Sequence, residues 1–321
     1  MKRIGVLTSG GDSPGMNPCV RAVTRTALSL GLEVYGVHRG YSGLIEGDME
    51  PLTARDVGGI IQRGGTFLQT ARSAKFMTID GRSEAVRRMN DRRIDGLVIV
   101  GGNGSLAGAY ELHKMGVPVV GAPGSIDNDV PYTDMAIGVD TALNTMTLFI
   151  DMIKDTASSH QRCFLVEVMG RNCGYLALVG GIIAGAEVTV IPEKPITVED
   201  VAAAVEKAYV RGKTHAIIVV AEGATPKTQE IADYLRQGTA GFEVRVTVLG
   251  HVQRGGSPTA FDRLLATRMG IRAAQALAAG EFGKMVGLVG NKVELIDLEK
   301  VASETKKLDL ALYDLADMLA R

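Results

Sequence analysis

The amino-acid sequence predicts an α/β protein in which parallel strands alternate with helices that cover both faces of the sheet. Apolar runs of strand length, glycine loops and amphipathic helices follow one another in both halves of the chain. Forty glycines, with only 5% aromatic residues, indicate many tight turns between these elements. With 321 residues, the chain is long enough for two domains with sizeable cores.

The first half follows this alternation from its beginning. Arg3–Thr8 reads as a buried strand, and the helix that follows carries Val20, Val23 and Ala27 on one face, with Gly31 as its cap. The predicted elements of this half are a strand at 3–8, a helix at about 17–30, a strand at 33–38, a short helix at about 56–62, a helix at 83–93, a strand at 96–100, a helix from 101 to about 114 and a strand at 117–122.

The second half repeats the rhythm without a close internal sequence repeat. Thr197 and Asp200 form a capping-box pattern that predicts a helix start. The segment 174–191 is very apolar, but its glycines and Glu187 favour a buried helix and strand over a membrane span. The predicted elements are helices at about 141–156, 174–184, 197–211, 228–236, 261–279 and 309–319, strands at 163–168, 188–191, 216–221, 244–249 and 285–289, and a polar loop at 251–258.

Charge and cysteine usage exclude several classes of protein. The net charge is −1, so no bulk field attracts nucleic acid or an anionic membrane, and neither is expected as a partner. The three cysteines, Cys19, Cys163 and Cys173, form no paired disulfide framework and no metal-ligand spacing, which fits a reducing cytoplasm. The apolar run after Met1 is too short for the hydrophobic region of a signal peptide.

The segment Pro123–Asp129 is the chemical centre of this interpretation. It follows the predicted strand at 117–122, and Pro and Gly open it as a loop. Asp127 and Asp129 are two residues apart, so in an extended segment both point the same way. They could address one proton or one hard cation. A simple turn is the alternative, because Asp, Asn and Gly all favour turns.

Three loops fall at one edge of the predicted sheet, where ligands bind beyond the strand C-termini: Gly10–Asn17, Gly101–Ser105 and Pro123–Asp129. Glycine loops before helix N-termini present backbone N–H groups to phosphate. The first two loops do not fit the P-loop pattern, and 101–105 lacks the dinucleotide fingerprint. A phosphate donor with a metal ion is therefore favoured over NAD.

Cationic side chains flank several of the glycine- or serine-rich loops. They are Arg72, Arg162, Arg171, Arg254 and His251. Each arginine alone fits a solvated surface position, and His251 fits a hydrogen-bonded loop histidine, but together they indicate a polyphosphate site. Glu222 either binds a hydroxyl or caps a turn. These parts permit phosphoryl transfer, with Asp127 as base and Arg171 as charge stabiliser.

Five motifs resemble those of the bacterial ATP-dependent 6-phosphofructokinases, and the resemblance covers nearly the whole chain. The motifs are Thr8–Asn17, Pro123–Asp129, Ser159–Arg162, Val166–Arg171 and Leu249–Pro258. The resemblance implies transfer of the γ-phosphoryl of ATP to the 1-hydroxyl of fructose 6-phosphate, giving fructose 1,6-bisphosphate and ADP in glycolysis. It also implies Mg²⁺ as cofactor and a cytoplasmic homotetramer.

The family fold consists of two Rossmann-like three-layer α/β/α domains with the active site in the cleft between them. On this chain, the resemblance implies a larger ATP-binding domain at 1–138 plus about 254–304. The smaller sugar-phosphate-binding domain takes 139–253 plus about 305–321.

Matched positions also imply the site residues. Asp127 is the expected general base, Arg171 contacts the transferring phosphoryl, and Ser125 stands where relatives usually carry Thr. The expected ATP-binding residues are Gly11, Arg72, Ser73, Gly102, Asn103, Gly104 and Ser105. The expected sugar-phosphate residues are Ser125, Ile126, Asp127, Arg162, Met169, Gly170, Arg171, Glu222, Arg245, His251, Val252, Gln253 and Arg254. Of these, Arg162 and Arg245 are expected to reach across from a neighbouring subunit.

Asn103 departs from the family loop Gly-Gly-Asp-Gly-Ser, whose Asp helps to hold Mg²⁺. Asn keeps an oxygen ligand but removes a negative charge, so Asn103 is expected to be a weak metal position, with Asp129 contributing indirectly. We expect Mg²⁺ binding and turnover to be reduced by ~10–100-fold. Gly104 and Gly124 stand where the pyrophosphate-dependent branch usually has Asp and Lys, which favours ATP as donor.

The family also implies an effector site that binds ADP or phosphoenolpyruvate between subunits. Its expected residues are Arg21, Arg25, Lys154, Gly185, Glu187, Arg211 and Lys213, with Glu187 at the position that holds the effector's metal. Lys154 and Gly59 stand where many relatives have Arg and Asp, so weaker or altered regulation is expected. For Arg21 and Arg25, the polar face of the first helix is the alternative.

Two competing functions remain open at this point. One is a phosphofructokinase-like regulatory or sugar-phosphate-sensing subunit that catalyses little because of Asn103; the intact Asp127 and Arg171 speak against it. The other is a pyrophosphate-dependent kinase, or a small-molecule kinase such as an NAD or lipid kinase. The segments 169–171 and 251–254 disfavour that second alternative.

Overall fold

The computed structural model describes residues 1–238 and 241–320. The chain forms two compact units, the first from Met1–Thr141 and Arg254–Lys306, the second from Ala142–Gln253 and Lys307–Arg321. Residues 239, 240 and 321, which the smaller predicted domain includes, lie outside the described residues.

The elements alternate along the chain as the sequence predicts. In chain order they are β1 (Arg3–Ser9), α1 (Met16–Ser29), β2 (Glu33–Val37), α2 (Gly40–Glu46), β3 (Met49–Leu52), a 3-10 helix (Lys75–Met77), α3 (Ile79–Asp91), β4 (Gly96–Gly101), α4 (Asn103–Lys114), β5 (Val119–Pro123), α5 (Val139–His160), β6 (Arg162–Val168), α6 (Tyr175–Ile183), β7 (Val188–Val190), α7 (Val198–Val210), β8 (Ala216–Ala221), α8 (Thr228–Gln237), β9 (Glu243–Val248), a second 3-10 helix (Gly250–Arg254), α9 (Ala260–Ala278), β10 (Lys284–Val289), β11 (Lys292–Asp297), α10 (Leu298–Ser303) and α11 (Ala311–Ala320).

The first unit is built on a seven-stranded sheet in the order β11-β10-β5-β4-β1-β2-β3. Its five inner strands are parallel, and β3 and β11 are antiparallel edge strands. The chain continues from β1 to β2 on one side and later places β4 on the other side, so the strand order reverses between β1 and β4. Ligands of open α/β sheets bind at such a reversal, beyond the carboxyl ends of the strands.

Helices cover both faces of this sheet, because its inner strands are apolar on both sides. In β4, Val98 and Val100 pack into a core with α1 and α9, whereas Leu97 and Ile99 pack into a second core with α2, α3 and α4. A Cβ at Gly270 of α9 would lie 2.6 Å from the backbone oxygen of Cys19. This glycine therefore permits the close approach of α9 to α1.

The second unit contains a four-stranded, all-parallel sheet in the order β7-β8-β6-β9. Every residue of β8 is buried, and β6 is nearly so, which matches the continuous apolar runs that the sequence shows there. The packing of α6 and α7 against β8, and of α8 against β9, encloses a single core. The two sheets and their helices confirm the predicted α/β class.

Several local predictions differ from the structure. The predicted helix at 56–62 is wrong: the segment forms turns, and Gly59 has φ +70°, which ends regular structure there. The sequence did not predict α2 and β3, because Gly40 and Gly43 weaken the helix signal and Pro51 lies in an edge strand. It also missed β11 and α10, and part of the predicted loop at 251–258 is the second 3-10 helix.

None of the helices among the described residues is long and apolar enough to cross a bilayer.

Candidate active site

A pocket of about 1170 Å³ opens at the carboxyl edge of the seven-stranded sheet, and all its lining residues belong to the first unit. Loops that follow β1, β4 and β5 form one side of it, at the reversal of strand order. The lining residues from these loops are Ser9, Gly10, Gly11, Gly102, Asn103, Gly104, Ser105, Gly124, Ser125, Asp127 and Asp129. The fold therefore brings together the three loops that the sequence placed at one edge.

The loop after β1 carries a guanidinium against its backbone. Arg254 Nη1 donates to the backbone oxygen of Asp12 at 2.9 Å, and a Cβ at Gly11 would lie only 2.5 Å from the same nitrogen. A side chain at position 11 would therefore displace the end of Arg254 from its present place against the loop. A fixed positive charge results at the wall of the pocket, which suits an anionic ligand.

The loop after β4 leads directly into α4, whose N-terminal residues line the pocket. The N-cap is Gly102, which supplies no side-chain cap, and no acidic residue lies in the first turn. A Cβ at Gly104 would meet nothing within 4 Å, so the space beside this turn is open. The N-terminus of a helix with open space before it favours phosphate groups through its N–H groups and dipole.

The loop after β5 points three polar side chains towards the pocket and three residues inwards. Ser125, Asp127 and Asp129 are partly exposed and line the pocket, while Ile126, Asn128 and Val130 are buried. This is the period-2 alternation that the sequence predicted for Asp127 and Asp129. Both aspartates lie at the same pocket.

Asn128 anchors this loop, a role that sequence reasoning missed. Its backbone is left-handed, with φ +51°, and its side chain is only 2% exposed. Its Nδ2 donates to the backbone oxygen of Asp134 at 3.0 Å, and its Oδ1 accepts from the N–H of Ala136 at 3.1 Å. The tolerance of Asn for left-handed turns is the sequence signal that could have revealed it.

A hydrogen-bond network joins Asn103 to the acidic loop, which consists of residues Pro123–Asp129. Asn103 Nδ2 donates to Asp129 Oδ2 at 2.8 Å and to the backbone oxygen of Asp129 at 3.1 Å. The Ser125 hydroxyl donates to the other oxygen, Oδ1, at 3.1 Å, and accepts from the N–H of Asp127 at 3.3 Å. Asn103 Oδ1 is buried and has no hydrogen-bond partner among the described residues.

An aromatic wall, also missed by sequence reasoning, forms another part of the pocket. The rings of Tyr41 and Phe76 stack with centroids 3.8 Å apart and an interplanar angle of 8°. The Tyr41 hydroxyl donates to the backbone oxygen of Ser105 at 2.5 Å, and burial raises the pKa of Tyr41. Gly108 leaves room for the stack, because a Cβ there would lie 2.9 Å from the Tyr41 ring. Gly108 lies four residues after Gly104, on the same face of α4, and this spacing was the sequence signal that could have pointed to a close contact there.

The remaining expected ATP-binding positions also lie in the first unit. Arg72 and Ser73 line the pocket, and the Ser73 hydroxyl accepts the N–H of Phe76 at 3.3 Å. Ile126, an expected substrate residue, is the fully buried, inward-facing residue between Ser125 and Asp127 and does not line the pocket.

In the second unit, the carboxyl edge of the four-stranded sheet collects another group of expected site residues. The N–H of Glu222 donates to Val168 O at 2.8 Å, which places the residue after β8 beside the end of β6. Arg171 Nε lies 3.9 Å from Glu222 Oε1, and the Arg171 side chain is 77% exposed. Gly170 has φ +135°, so the turn between Met169 and Arg171 requires glycine.

The segment after β9 contributes a 3-10 helix that carries further expected substrate residues. His251 and Val252 are exposed on it. Gln253 is buried, and its Nε2 donates to the backbone oxygen of Gly250 at 3.0 Å. Gln253 therefore has a local structural contact, whereas His251 is available to solvent within this unit.

The structure does not bring Arg162 and Arg245 to this edge. Arg162 is the first residue of β6, at the amino edge of the sheet, and its Nε lies 2.7 Å from Glu243 Oε2. Arg245 pairs with the same carboxylate. The hydrogen bond from Arg162 holds the pKa of Glu243 below its usual value. Within a single chain, these two arginines are therefore separate from Arg171 and Glu222 at the carboxyl edge of the sheet.

The expected effector residues of the second unit also gather at the amino edge of its sheet. Lys154 Nζ donates to the backbone oxygen of Ala184, next to Gly185, and Lys213 Nζ lies 2.8 Å from Glu187 Oε1. Glu187 Oε2 accepts the N–H of Ile217. Both oxygens of this buried carboxylate are therefore engaged inside the chain. Arg211 precedes Lys213 in the same loop.

In the first unit, Arg21 and Arg25 lie on α1, and Arg25 Nη2 donates to Ala54 O at 3.3 Å. Among the described residues, no group of three or more His, Cys, Asp or Glu side chains is arranged to hold a metal ion.

A doubly wound sheet with a helix N-terminus and two aspartates at its strand-order reversal defines a nucleotide-binding class of α/β protein. Residues 3–277 match the sequence model of a family described as Phosphofructokinase. The chain belongs to this family, which confirms the resemblance seen in its motifs.

Curated relatives align with the chain from end to end. It is 51% identical over 321 residues to "ATP-dependent 6-phosphofructokinase" of Thermotoga neapolitana, covering 100% of both chains. It is 50% identical over 320 residues to a protein of the same name from Natranaerobius thermophilus, again covering 100% of both.

A solved structure of phosphofructokinase from Pichia pastoris in the T-state superposes with a TM-score of 0.90 and 38% identity. It matches 94% of this chain, which in turn spans about a third (35%) of the Pichia chain.

Proposed function

We propose that this chain is an ATP-dependent 6-phosphofructokinase of glycolysis. It transfers the γ-phosphoryl of ATP to the 1-hydroxyl of fructose 6-phosphate and releases fructose 1,6-bisphosphate and ADP. The observation that carries this proposal is the pocket of the first unit, where Asp127 lies beside the open N-terminus of α4. The full-length relatives named for this activity support it.

ATP occupies the pocket with its phosphates at the glycine loops and its base towards the aromatic wall. The N-terminus of α4, Arg72 and Arg254 supply N–H groups and positive charge for the phosphates. Open space at Gly104 leaves room for the nucleotide. A Cβ at Gly124 would lie 3.2 Å from Met16 Cε, so a side chain at this position would press on Met16. Both glycines support ATP over pyrophosphate.

Asp127 acts as general base and accepts the proton of the sugar's 1-hydroxyl as that oxygen attacks the γ-phosphorus. The Ser125 hydroxyl, which accepts the N–H of Asp127 at 3.3 Å, fixes the backbone that carries this carboxylate. Arg171, exposed at the carboxyl edge of its sheet, neutralises charge on the transferring phosphoryl group. No covalent enzyme intermediate is needed, since positioning and electrostatics supply the catalysis.

The residues present fit a magnesium ion that is held mainly by the nucleotide. Asp127, Asp129 and Asn103 line the phosphate end of the pocket, and Asn103 Oδ1 is a buried acceptor with no hydrogen-bond partner among the described residues. Mg²⁺ commonly takes one or two protein oxygens and completes its shell with phosphates and water. When bound, the ion would neutralise negative charge on the phosphates.

The sugar phosphate meets the exposed edge of the second unit. Its expected contacts there are Met169, Gly170, Arg171, Glu222, His251 and Val252, with Arg254 from the first unit. Arg162 and Arg245 lie at a different edge of the same unit, so we propose that they serve the substrate of a neighbouring subunit in a homotetramer. The first unit is then the ATP domain, the second is the sugar-phosphate domain, and the enzyme works in the cytoplasm.

We propose weak regulation by ADP or phosphoenolpyruvate at the amino edge of the four-stranded sheet. Each oxygen of the Glu187 carboxylate already accepts one donor, Lys213 Nζ or the N–H of Ile217, so an effector's metal would have to share this carboxylate with them. Lys154 binds a backbone oxygen beside Gly185 and lacks the planar fork of Arg.

A coupled assay for ADP formation tests the proposed function. ATP with fructose 6-phosphate is expected to give turnover, whereas ATP with other sugar phosphates gives little. Pyrophosphate releases no ADP, so its reaction with fructose 6-phosphate is followed by the formation of fructose 1,6-bisphosphate and is also expected to give little. The sugar's phosphorylation position is read by ³¹P NMR. Binding of fructose 6-phosphate without any turnover would contradict the enzyme proposal and favour the sugar-phosphate-sensing alternative.

A further inference from the structure

Asn103 takes part in a contact whose geometry fixes which of its atoms faces the acidic loop. Both partners of its Nδ2 are oxygens of Asp129, one from the carboxylate at 2.8 Å and one from the backbone at 3.1 Å. Oxygens without hydrogen can only accept, so the amide must turn its nitrogen towards them. The amide oxygen is left buried, with no hydrogen-bond partner among the described residues.

The Asp129 carboxylate is therefore satisfied by neutral donors. Its Oδ2 accepts from Asn103, and its Oδ1 accepts from the Ser125 hydroxyl at 3.1 Å. A carboxylate whose two oxygens are both hydrogen-bonded needs no cation to hold it in place. An aspartate at position 103 would instead set a second carboxylate against Asp129 at hydrogen-bond distance. Such a pair is repulsive unless a cation or a proton lies between them.

The charge of the pocket follows from the same contact. The phosphate end holds the carboxylates of Asp127 and Asp129, and Arg72 and Arg254 lie at the same pocket. An uncharged residue at 103 keeps the number of carboxylates there at two. A polyanionic nucleotide without its metal is then repelled less than it would be by three.

We propose that Asn103 makes nucleotide binding nearly independent of divalent cations, because it adds no third carboxylate beside Asp127 and Asp129 and meets Asp129 with a neutral donor. The inference rests on the proposed function, since it concerns the nucleotide of that same pocket. It goes further because it assigns one dependence on divalent cations to nucleotide binding and another to turnover. Metal-free ATP binds, while phosphoryl transfer still requires the metal for charge neutralisation.

The first measurement is ATP affinity by calorimetry in excess Mg²⁺ and in EDTA. For the chain as it is, the two dissociation constants should agree within about threefold. For Asn103→Asp, affinity in EDTA should fall by ~10–100-fold relative to Mg²⁺, the range found when a group close to a metal is changed. Asn103→Ala removes the donor without adding charge. It should bind ATP with little preference between the two buffers.

The second measurement needs neither nucleotide nor activity. The thermal midpoint of the unchanged chain should be the same in Mg²⁺ and in EDTA. Asn103→Asp should unfold several degrees lower in EDTA and recover when Mg²⁺ is added, whereas Asn103→Ala should be lowered equally in both. The difference between the two variants separates the effect of the added negative charge from the effect of the lost hydrogen bond.

The outcomes distinguish the two proposals. If the unchanged chain binds ATP only with Mg²⁺, or if Asn103→Asp shows no cation dependence in either measurement, the inference is overturned while the kinase proposal stands. If the chain binds ATP in neither buffer, the proposed function fails and the inference falls with it. Cation-independent binding with cation-dependent turnover supports both.

Discussion

The close approach between Gly108 and the aromatic wall makes a quantitative test of the pocket. A Cβ at position 108 would lie 2.9 Å from Tyr41 Cε2 and 3.0 Å from Phe76 Cε1. The two rings are 6% and 3% exposed and stack at 3.8 Å, so neither can move freely. Forcing one methyl group into such packing costs about 1–3 kcal/mol. In Gly108→Ala, improved helix propensity offsets about 1 kcal/mol of this cost.

Gly104→Ala is the matched control for stability, because it lies one turn earlier on α4 and its Cβ would meet nothing within 4 Å. Gly108→Ala should therefore be about 1–3 kcal/mol less stable than Gly104→Ala. In a domain of this size, each kcal/mol shifts the thermal midpoint by about 2–4 °C. ATP affinity of Gly108→Ala should also fall, since the displaced rings line the pocket. Equal midpoints for the two variants would refute the packing argument.

Two further changes probe other parts of the first unit. Gly11→Ala places a Cβ 2.5 Å from Arg254 Nη1. The KM for both substrates should rise about tenfold, which corresponds to the loss of about one charged hydrogen bond. An unchanged KM for fructose 6-phosphate in steady-state assays would count against the role of Arg254. Asp262 accepts the N–H groups of Gly138 and Thr141, and burial raises the pKa of its carboxyl group. The folded state therefore binds this proton more tightly than the unfolded state does. The contribution of Asp262 to the free energy of unfolding is present below about pH 4 and is lost as the pH rises through the raised pKa of the folded state. The urea midpoint of the unchanged chain should fall relative to that of Asp262→Asn between pH 3.5 and pH 7, and parallel profiles would contradict this.

The sequence predicted the strands and loops whose signal is local. β4 and β8 are buried on both faces, so their residues are apolar throughout, and such runs are easily recognised. The sequence also predicted that Asp127 and Asp129 lie on one side of their loop, although the extended geometry assumed for this prediction is interrupted by the left-handed Asn128 between them. Glycine loops at strand ends then predicted which edge of the sheet would bind phosphate.

The rest depends on tertiary contacts that no local pattern contains. Tyr41 and Phe76 are far apart along the chain, and they stack only because Gly108 lets both approach α4. The pairing of Asn103 with Asp129 likewise joins loops that follow different strands. From the sequence alone, Asn103 was a weakened metal position. The structure shows that its amide also donates to the loop, which changes what its replacement should do.

The account depends most on Asp127 as the group that takes the proton from the sugar. The most direct measurement compares kcat of the unchanged chain with that of Asp127→Asn, with ATP affinity measured in parallel. The account predicts that kcat falls by ~10²–10⁴-fold, the usual contribution of general base catalysis, while ATP affinity changes by less than about threefold. A variant that keeps more than a tenth of the kcat would contradict it.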